Sequence, residues 1–498
     1  MSAPAAYDDL RNRLTAICDL GGIGQLLFWD QQTKMPVAAA GARAEQTATI
    51  GRLSHQLFVS DEIGRLIEEL RAYEESLPYD SDEASLIRIG RHDWEKARQV
   101  PPDLTAEMRR SSSLALRAWA EARPKSDYEA LKPHLERNLG LRRRYIDCFE
   151  PADEPYDILL DDYERGMKTA EVRAVFDRLK EGLIELLQAV EPADTSQLDR
   201  PFPQEGQERF AMHVLDRFGF DPMSWRLDPT SHPFMSSPGH KDIRITTNYS
   251  DSGLRSLFAT MHEFGHGIYE YGIDAALART PLGTGASMGL HESQSRMWEN
   301  LVGRSGPFWS HFYPELQQTF PGALDDVDEE SFFRAVNAVK PSLIRVDADE
   351  ITYSLHIILR FELEQELLAG TLPLDDLPEA WNARMKEYIG IDVPNDADGV
   401  LQDMHWASGH LGYFPTYALG NVISVQIWNA ALEAIPDIPQ QVAQGEFAPL
   451  REWLTENLYR HGRKFTPVEM LERITGSRID PEPYLAYLRD KHLAAATA

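Results

Sequence analysis

Apolar residues recur at three- and four-residue intervals along most of the chain, with charged residues filling the opposite face. Over residues 171–190 (EVRAVFDRLKEGLIELLQAV) and 354–370 (SLHIILRFELEQELLAG) this spacing predicts amphipathic helices of the kind that pack into bundles. Helix starts are marked chemically. TPVEMLERI, from Thr466, offers a capping Thr, a first-turn Pro and a Glu three residues on, and DPEPYLAYL, from Asp480, repeats the Asp-Pro start, so helix is expected to nearly the end of the chain. One stretch differs: DIRITTNY (242–249) alternates apolar with polar positions and is β-branched, which predicts a half-exposed strand and hence a small sheet. The Pro- and polar-rich stretch 191–207 (EPADTSQLDRPFPQEGQ) reads as a linker. It divides an N-terminal helical lobe, 1–200, from a second lobe, 201–498. No fixed-period repeat, low-complexity tract or sustained heptad pattern occurs.

A chain of 498 residues exceeds one compact core, and 43% hydrophobic with 10% aromatic residues is enough to bury a large interior. The net charge of −29, from 50 basic and 79 acidic residues, repels nucleic-acid backbones and anionic membrane surfaces, which excludes both as expected partners. Two cysteines, Cys18 and Cys148, are too few for a disulfide framework or a Cys-rich zinc site, and fit a reducing cytoplasm. The first twenty residues carry an acidic pair where a signal peptide has basic residues and an apolar run, and no stretch approaches the length of a membrane span.

Chemistry concentrates in TMHEFGHGIYEYG (260–272). Residues four apart on a helix lie one turn above each other, so His262 and His266 can aim ring nitrogens at one cation, while Glu263 projects beside it, where a carboxylate can take a proton from a metal-bound water. Asp251 or Ser252 is the expected helix cap, and Leu254, Leu257, Phe258 and Met261 the packing stripe. Glu270 continues the four-residue spacing, but three ligands on one straight helix would span about 12 Å of axis and could not converge on a single ion. The third ligand has to come from elsewhere. GLHESQSRMWEN (289–300) supplies Glu292 after a Gly-rich turn, PLGTGASMG, that lets the chain reverse onto a second helix. No His follows six residues after His266, which removes one extended zinc-protease pattern.

These motifs do not stand alone. HPF (232–234), DIRIT (242–246), HEFGH (262–266), HESQ (291–294), IRVDAD (344–349) and GVLQDMHW (399–406), with FWDQQTKMP (28–36) near the start, occur in an order that resembles the M32 family of metallocarboxypeptidases over most of the chain. The resemblance implies a mainly α, two-lobed helical metallopeptidase with a deep central groove and a small β-sheet near the active site, as in neurolysin and angiotensin-converting enzyme. It also implies a homodimer, one divalent ion per chain (Zn²⁺, or Co²⁺ in its place) on His262, His266 and Glu292, and Glu263 as general base.

The activity so implied is release of single C-terminal residues from peptides with a free carboxylate. The family places recognition of that carboxylate on Arg345, whose planar fork can hold both oxygens; the structural alternative is an ion pair with Asp347, Asp349 or Glu350. SGHLGYFPTYALGN (408–421) is similar to the Tyr- and His-bearing segment that faces the metal in related peptidases, making His410, Tyr413 and Tyr417 candidates for stabilising the oxyanion. His232 and Arg244 are candidates for lining the groove, Gln402, Asp403 and His405 for supporting it, and Asp242 and Thr246 serve either the strand or the substrate. Alternatives within the fold are a dipeptidyl carboxypeptidase or an oligoendopeptidase. A catalytically silent peptide-binding scaffold would also keep the fold, but has no use for the intact Glu263; outside the fold stands a di-metal carboxylate protein in a helical bundle, which needs a second Glu-x-x-His that the chain lacks.

Overall fold

The computed structural model describes residues 3–493, and helices dominate it. Two compact units emerge, each assembled from separate chain segments: Met1–Arg98, Asp194–Val336 and Ile427–Gly476 form the first, and Gln99–Ala193, Asn337–Gln426 and Ser477–Ala498 the second. One of the crossings between them falls within the Pro-rich 191–207 stretch. That stretch is not a free tether. Phe202 is fully buried and meets Phe320 edge-on at 5.1 Å, and Pro201 bridges Ser252, because an apolar ring between two prolines gains more from burial than from solvent.

The second unit holds both helices read from periodicity. Thr169–Ala189 buries one stripe, Val172, Val175, Phe176, Leu179, Leu183 and Leu186, as its spacing requires. Thr352–Ala369 behaves differently from its amphipathic reading: Arg360 and Glu364, on the expected solvent face, are as fully buried as Leu355 and Leu359. Each buried polar head has its partners. Arg360 pairs with Asp403 at 2.6 Å, and Glu364 accepts hydrogen bonds from Tyr156 (2.6 Å), Trp406 (2.8 Å) and the Gly412 amide (2.9 Å). The final helix, Glu482–Leu493, starts where Asp480 accepts from the Glu482 amide.

In the first unit the capping box forms as expected: Thr466 and Glu469 exchange side-chain and backbone hydrogen bonds at the head of Pro467–Thr475. The sheet has three strands, β1 (Trp225–Pro229), β2 (Met235–Gly239) and β3 (Asp242–Thr247), in the order β1-β3-β2, with β1 parallel and β2 antiparallel to β3. Ile243 and Ile245 point inward, toward the helix that carries the HEFGH motif, and Asp242 and Arg244 point away. No helix among the described residues is long and apolar enough to cross a membrane.

Candidate metal centre

The motif helix runs Arg255–Gly272, and its N-cap is Leu254, without a side-chain cap. Neither Asp251 nor Ser252 caps it; Asp251 instead gives its carbonyl to the Phe202 amide. The predicted stripe is buried throughout, Leu254, Leu257, Phe258 and Met261 all being at most 7% exposed. After the Gly-rich turn, Ser287 accepts from the Leu290 amide and starts the helix Met288–Arg296, which passes into a π-helical turn, Met297–Val302. The two helices cross closely at Gly265, whose missing side chain leaves room for the main chain of Gln294 and Ser295.

That crossing brings three groups together. His262 Nε2 lies 3.6 Å and His266 Nε2 3.5 Å from Glu292 Oε2, and His262, His266 and Glu292 form a cluster whose ligand atoms all fall within 4.8 Å of one another. Ligands bound tetrahedrally at the usual zinc distances sit about 3.4 Å apart, so this donor set fits a four-coordinate divalent ion with one position left over. Both imidazoles turn Nε2 inward because Nδ1 is occupied, in His262 by Glu299 Oε2 at 2.9 Å and in His266 by His291 Nδ1 at 2.8 Å.

Electrostatics agree with the geometry. Burial pushes Glu292 up, but Arg296 at 2.7 Å, with His262 and His266, overrides this and holds the carboxyl far below its ordinary range, so it stays an anion. Glu263 has burial as its chief influence and no cation in direct contact; its carboxyl is pushed up to about 7. Burial draws His266 down to about 4, which keeps it neutral, as a ligand must be.

Sequence reasoning passed over Glu299, Arg296 and His291. Glu299 lies seven residues beyond Glu292, a spacing that returns to the same face after two turns, and this was the one available signal. It accepts from His262, Arg296 (3.4 Å) and Arg304 (3.3 Å).

The remaining first-unit candidates lie in the sheet or beside it. Arg244 pairs with Asp242 at 2.8 Å and lies 4.4 Å over the Trp29 ring, while Thr246 is buried and clamps Phe234, accepting from its amide and donating to its carbonyl. His232 is exposed in the bend between β1 and β2.

The second unit gathers the others around a buried ion-pair cluster. Arg345 is 6% exposed; its Nε and Nη2 donate to Asp403 Oδ1 at 3.1 and 2.8 Å, and Nη1 donates to Tyr353 at 3.1 Å. Its partner is therefore Asp403, and not Asp347, Asp349 or Glu350. Asp349 instead accepts from the Ile351 and Thr352 amides, and Glu350 takes Lys491 at 2.7 Å. Gln402 holds the Arg345 main chain, accepting from its amide at 2.9 Å. His405 sits 3.3 Å from the Tyr417 hydroxyl and stacks on Tyr413, which also neighbours the exposed His410.

Residues 9–492 match the family described as carboxypeptidase Taq (M32) metallopeptidase. The chain is 41% identical to thermostable carboxypeptidase 1 of Thermus thermophilus, covering 99% of both chains, and 38% identical to carboxypeptidase 1 of Bacillus subtilis, covering 94% of both. Its fold superimposes on the crystal structure of the M32 carboxypeptidase from Deinococcus radiodurans with a TM-score of 0.96 at 41% identity, covering 99% of this chain and 100% of that one.

Proposed function

The chain belongs to the carboxypeptidase Taq (M32) metallopeptidase family and is a metal-dependent carboxypeptidase; from that premise we propose that it removes single C-terminal residues from peptides, with His262, His266 and Glu292 holding the ion. The observation that carries this reading is the convergence of two Nε2 atoms on the ionised Glu292, 3.6 and 3.5 Å away, with Glu263 buried beside them. When bound, a divalent ion supplies Lewis acidity, lowering the pKa of water and polarising a carbonyl oxygen. Zn²⁺ is the proposed resident, because two imidazoles and one carboxylate are a donor set that zinc sites use, and Co²⁺ a working substitute.

Glu263 acts as general base: its carboxylate accepts the proton of the attacking water and afterwards delivers it to the leaving amine. Tyr413, Tyr417 and His410 are the proposed donors to the oxygen that gains charge in the transition state. Arg345 is the proposed holder of the terminal carboxylate. Asp403 and Gln402 fix its fork and main chain, so it is already oriented before substrate arrives. His232, Arg244 and His405 are proposed to border the peptide rather than to react.

Two further readings attach to this function. The helix Ala40–Phe58 buries none of its residues, and Ile23, Leu26, Phe28, Leu53 and Leu57 of the first two helices are all at least 38% exposed; we read this apolar face as the contact of a homodimer. The unpaired Cys18 and Cys148 support a cytoplasmic setting.

The test is to incubate the metal-loaded protein with short peptides, some amidated at the C-terminus, and follow products by mass spectrometry beside Glu263→Gln. Stepwise loss of single residues from free-acid peptides only, abolished by the substitution and by chelator, is the expected result. Dipeptide products or internal cuts would replace the assignment with a dipeptidyl carboxypeptidase or an endopeptidase. No cleavage with any divalent ion would leave a peptide-binding scaffold.

A further inference from the structure

We propose that His291 and Glu270 are positioning residues that lock the His266 ring in the one orientation and tautomer a metal ion can use; the proposal rests on the metal-site reading above. His266 turns Nε2 toward Glu292 at 3.5 Å, and its Nδ1 lies 2.8 Å from His291 Nδ1. The far side of His291 continues the chain of contacts, with Nε2 2.9 Å from Glu270 Oε1. That same oxygen accepts from the Gly285 amide at 2.9 Å and the Thr284 hydroxyl at 3.1 Å. The Glu270 and His291 side chains are 8% and 13% exposed.

Only one arrangement of protons satisfies every contact with a cation in place. A nitrogen that binds a cation presents its lone pair, so the proton of His266 sits on Nδ1. The atom facing it, His291 Nδ1, must then be the acceptor, which puts the His291 proton on Nε2, pointing at Glu270. The reverse arrangement would place a proton on His266 Nε2 and block the metal. Glu270 selects between the two, because a carboxylate only accepts. Its own orientation is set by the Gly-rich turn through Gly285 and Thr284.

His262 needs no such relay, since Glu299 accepts from it directly. The two histidines of one motif are thus oriented by different means: a carboxylate in contact, and a carboxylate acting through a neutral imidazole. The His291 ring is held by packing as well, tilted against Tyr269 at 5.1 Å, and a side chain at Gly285 would lie 2.7 Å from its Cδ2. Glu270, which cannot reach the ion, so acquires a use from the very spacing that excludes it as a ligand.

The experiment compares wild type, His291→Phe and His291→Asn. The readouts are the Zn²⁺ dissociation constant, by competition with a chromophoric chelator, the visible spectrum of the Co²⁺ form, and the melting temperature of the metal-free protein. Loss of an outer partner of a metal-bound His typically weakens binding ~10–100-fold. His291→Phe, which keeps the ring but not the acceptor, is expected to show that loss and an altered Co²⁺ spectrum, with metal-free melting unchanged. His291→Asn, whose amide oxygen can stand near the Nδ1 position, is expected to restore affinity to within a few-fold of wild type. Equal affinity in wild type and His291→Phe would overturn the proposal, and so would equal losses in Phe and Asn, which would make packing the cause. If His291→Phe does not fold, Glu270→Leu against Glu270→Gln repeats the comparison one bond further out. A wild type that fails to take up one ion per chain would overturn the metal site itself; a wild type that binds it, with His291→Phe binding equally, overturns the relay alone.

Discussion

Gly265 lies against Ser295 so closely that a β-carbon added to it would stand 2.5 Å from the Ser295 α-carbon and would also overlap the Gln294 carbonyl. Both obstacles are main chain, which cannot rotate out of the way. Gly265→Ala is therefore expected to push the helix Met288–Arg296 away from the motif helix and to carry Glu292 with it. The cost should be ~1–3 kcal/mol of stability, as for other overpacked sites, together with a fall in bound metal. Calorimetric melting and metal content per chain would check this; a variant that melts and binds metal like wild type would show that the crossing is looser than described.

Glu299 accepts from His262 Nδ1 at 2.9 Å while facing Arg296 and Arg304. Glu299→Ala removes the acceptor that turns the ring inward and leaves two half-buried guanidinium groups one anion short. Metal affinity is expected to fall ~10–100-fold, and the metal-free protein to melt lower as well. Glu299→Gln keeps an acceptor for His262 but not the charge, so it should recover more of the affinity than of the stability. Titration calorimetry beside thermal melting would separate the two effects, and identical behaviour of Ala and Gln would contradict the account.

What could be read from the sequence was what depends on neighbours in the chain. The i, i+4 histidines and the Thr466 capping box are local patterns that appear where spacing placed them, and the alternation in β3 holds over 242–245 before Thr246 and Thr247 are both buried. Glu292 needed one further inference, that the Gly-rich turn reverses the chain. What could not be read depends on distant partners. Arg360 and Glu364 looked like a solvent-facing stripe because their partners, Asp403 and Gly412, lie 43 and 48 residues onward. Arg345 has three acidic neighbours in the chain, Asp347, Asp349 and Glu350, yet its ion-pair partner is 58 residues away. The same reason hid Glu299, 37 residues from the ring it orients, and the interleaving of three segments in each compact unit.

Glu364 gives a pH dependence whose sign can be worked out. Burial raises its carboxyl to about 7, against the lowering influence of Tyr156, Gly412 and Trp406. The folded state then holds a proton that the unfolded chain releases near pH 4.5, so between those values the folded form carries more bound protons, and stability falls as pH rises. The contribution is complete below about pH 4.5 and gone above about pH 7, with a ceiling of ~3 kcal/mol. Glu364→Gln cannot titrate. The stability difference between wild type and this variant, from urea denaturation at a series of pH values, should therefore shift against wild type across that window and stay level above it; a level difference throughout would mean that Glu364 ionises at its ordinary value.

Arg345 allows the sharpest test of substrate recognition. Its Nε and Nη2 are already committed to one oxygen of Asp403, which leaves the guanidinium fixed in place yet still cationic. Lysine offers a point charge on a flexible stem and cannot reproduce a held fork. Arg345→Lys is accordingly expected to lower kcat/KM for free-acid peptides ~10–100-fold, the size of one or two charge-assisted hydrogen bonds, while cleavage of amidated peptides stays as low as it was. Asp403 keeps Arg360 at 2.6 Å in the variant, so the protein should still fold. Steady-state kinetics on matched free-acid and amidated peptides would decide it. An equal loss on both would mean that Arg345 supports the structure and does not read the carboxylate; an unchanged preference for the free acid would move that role to another cation.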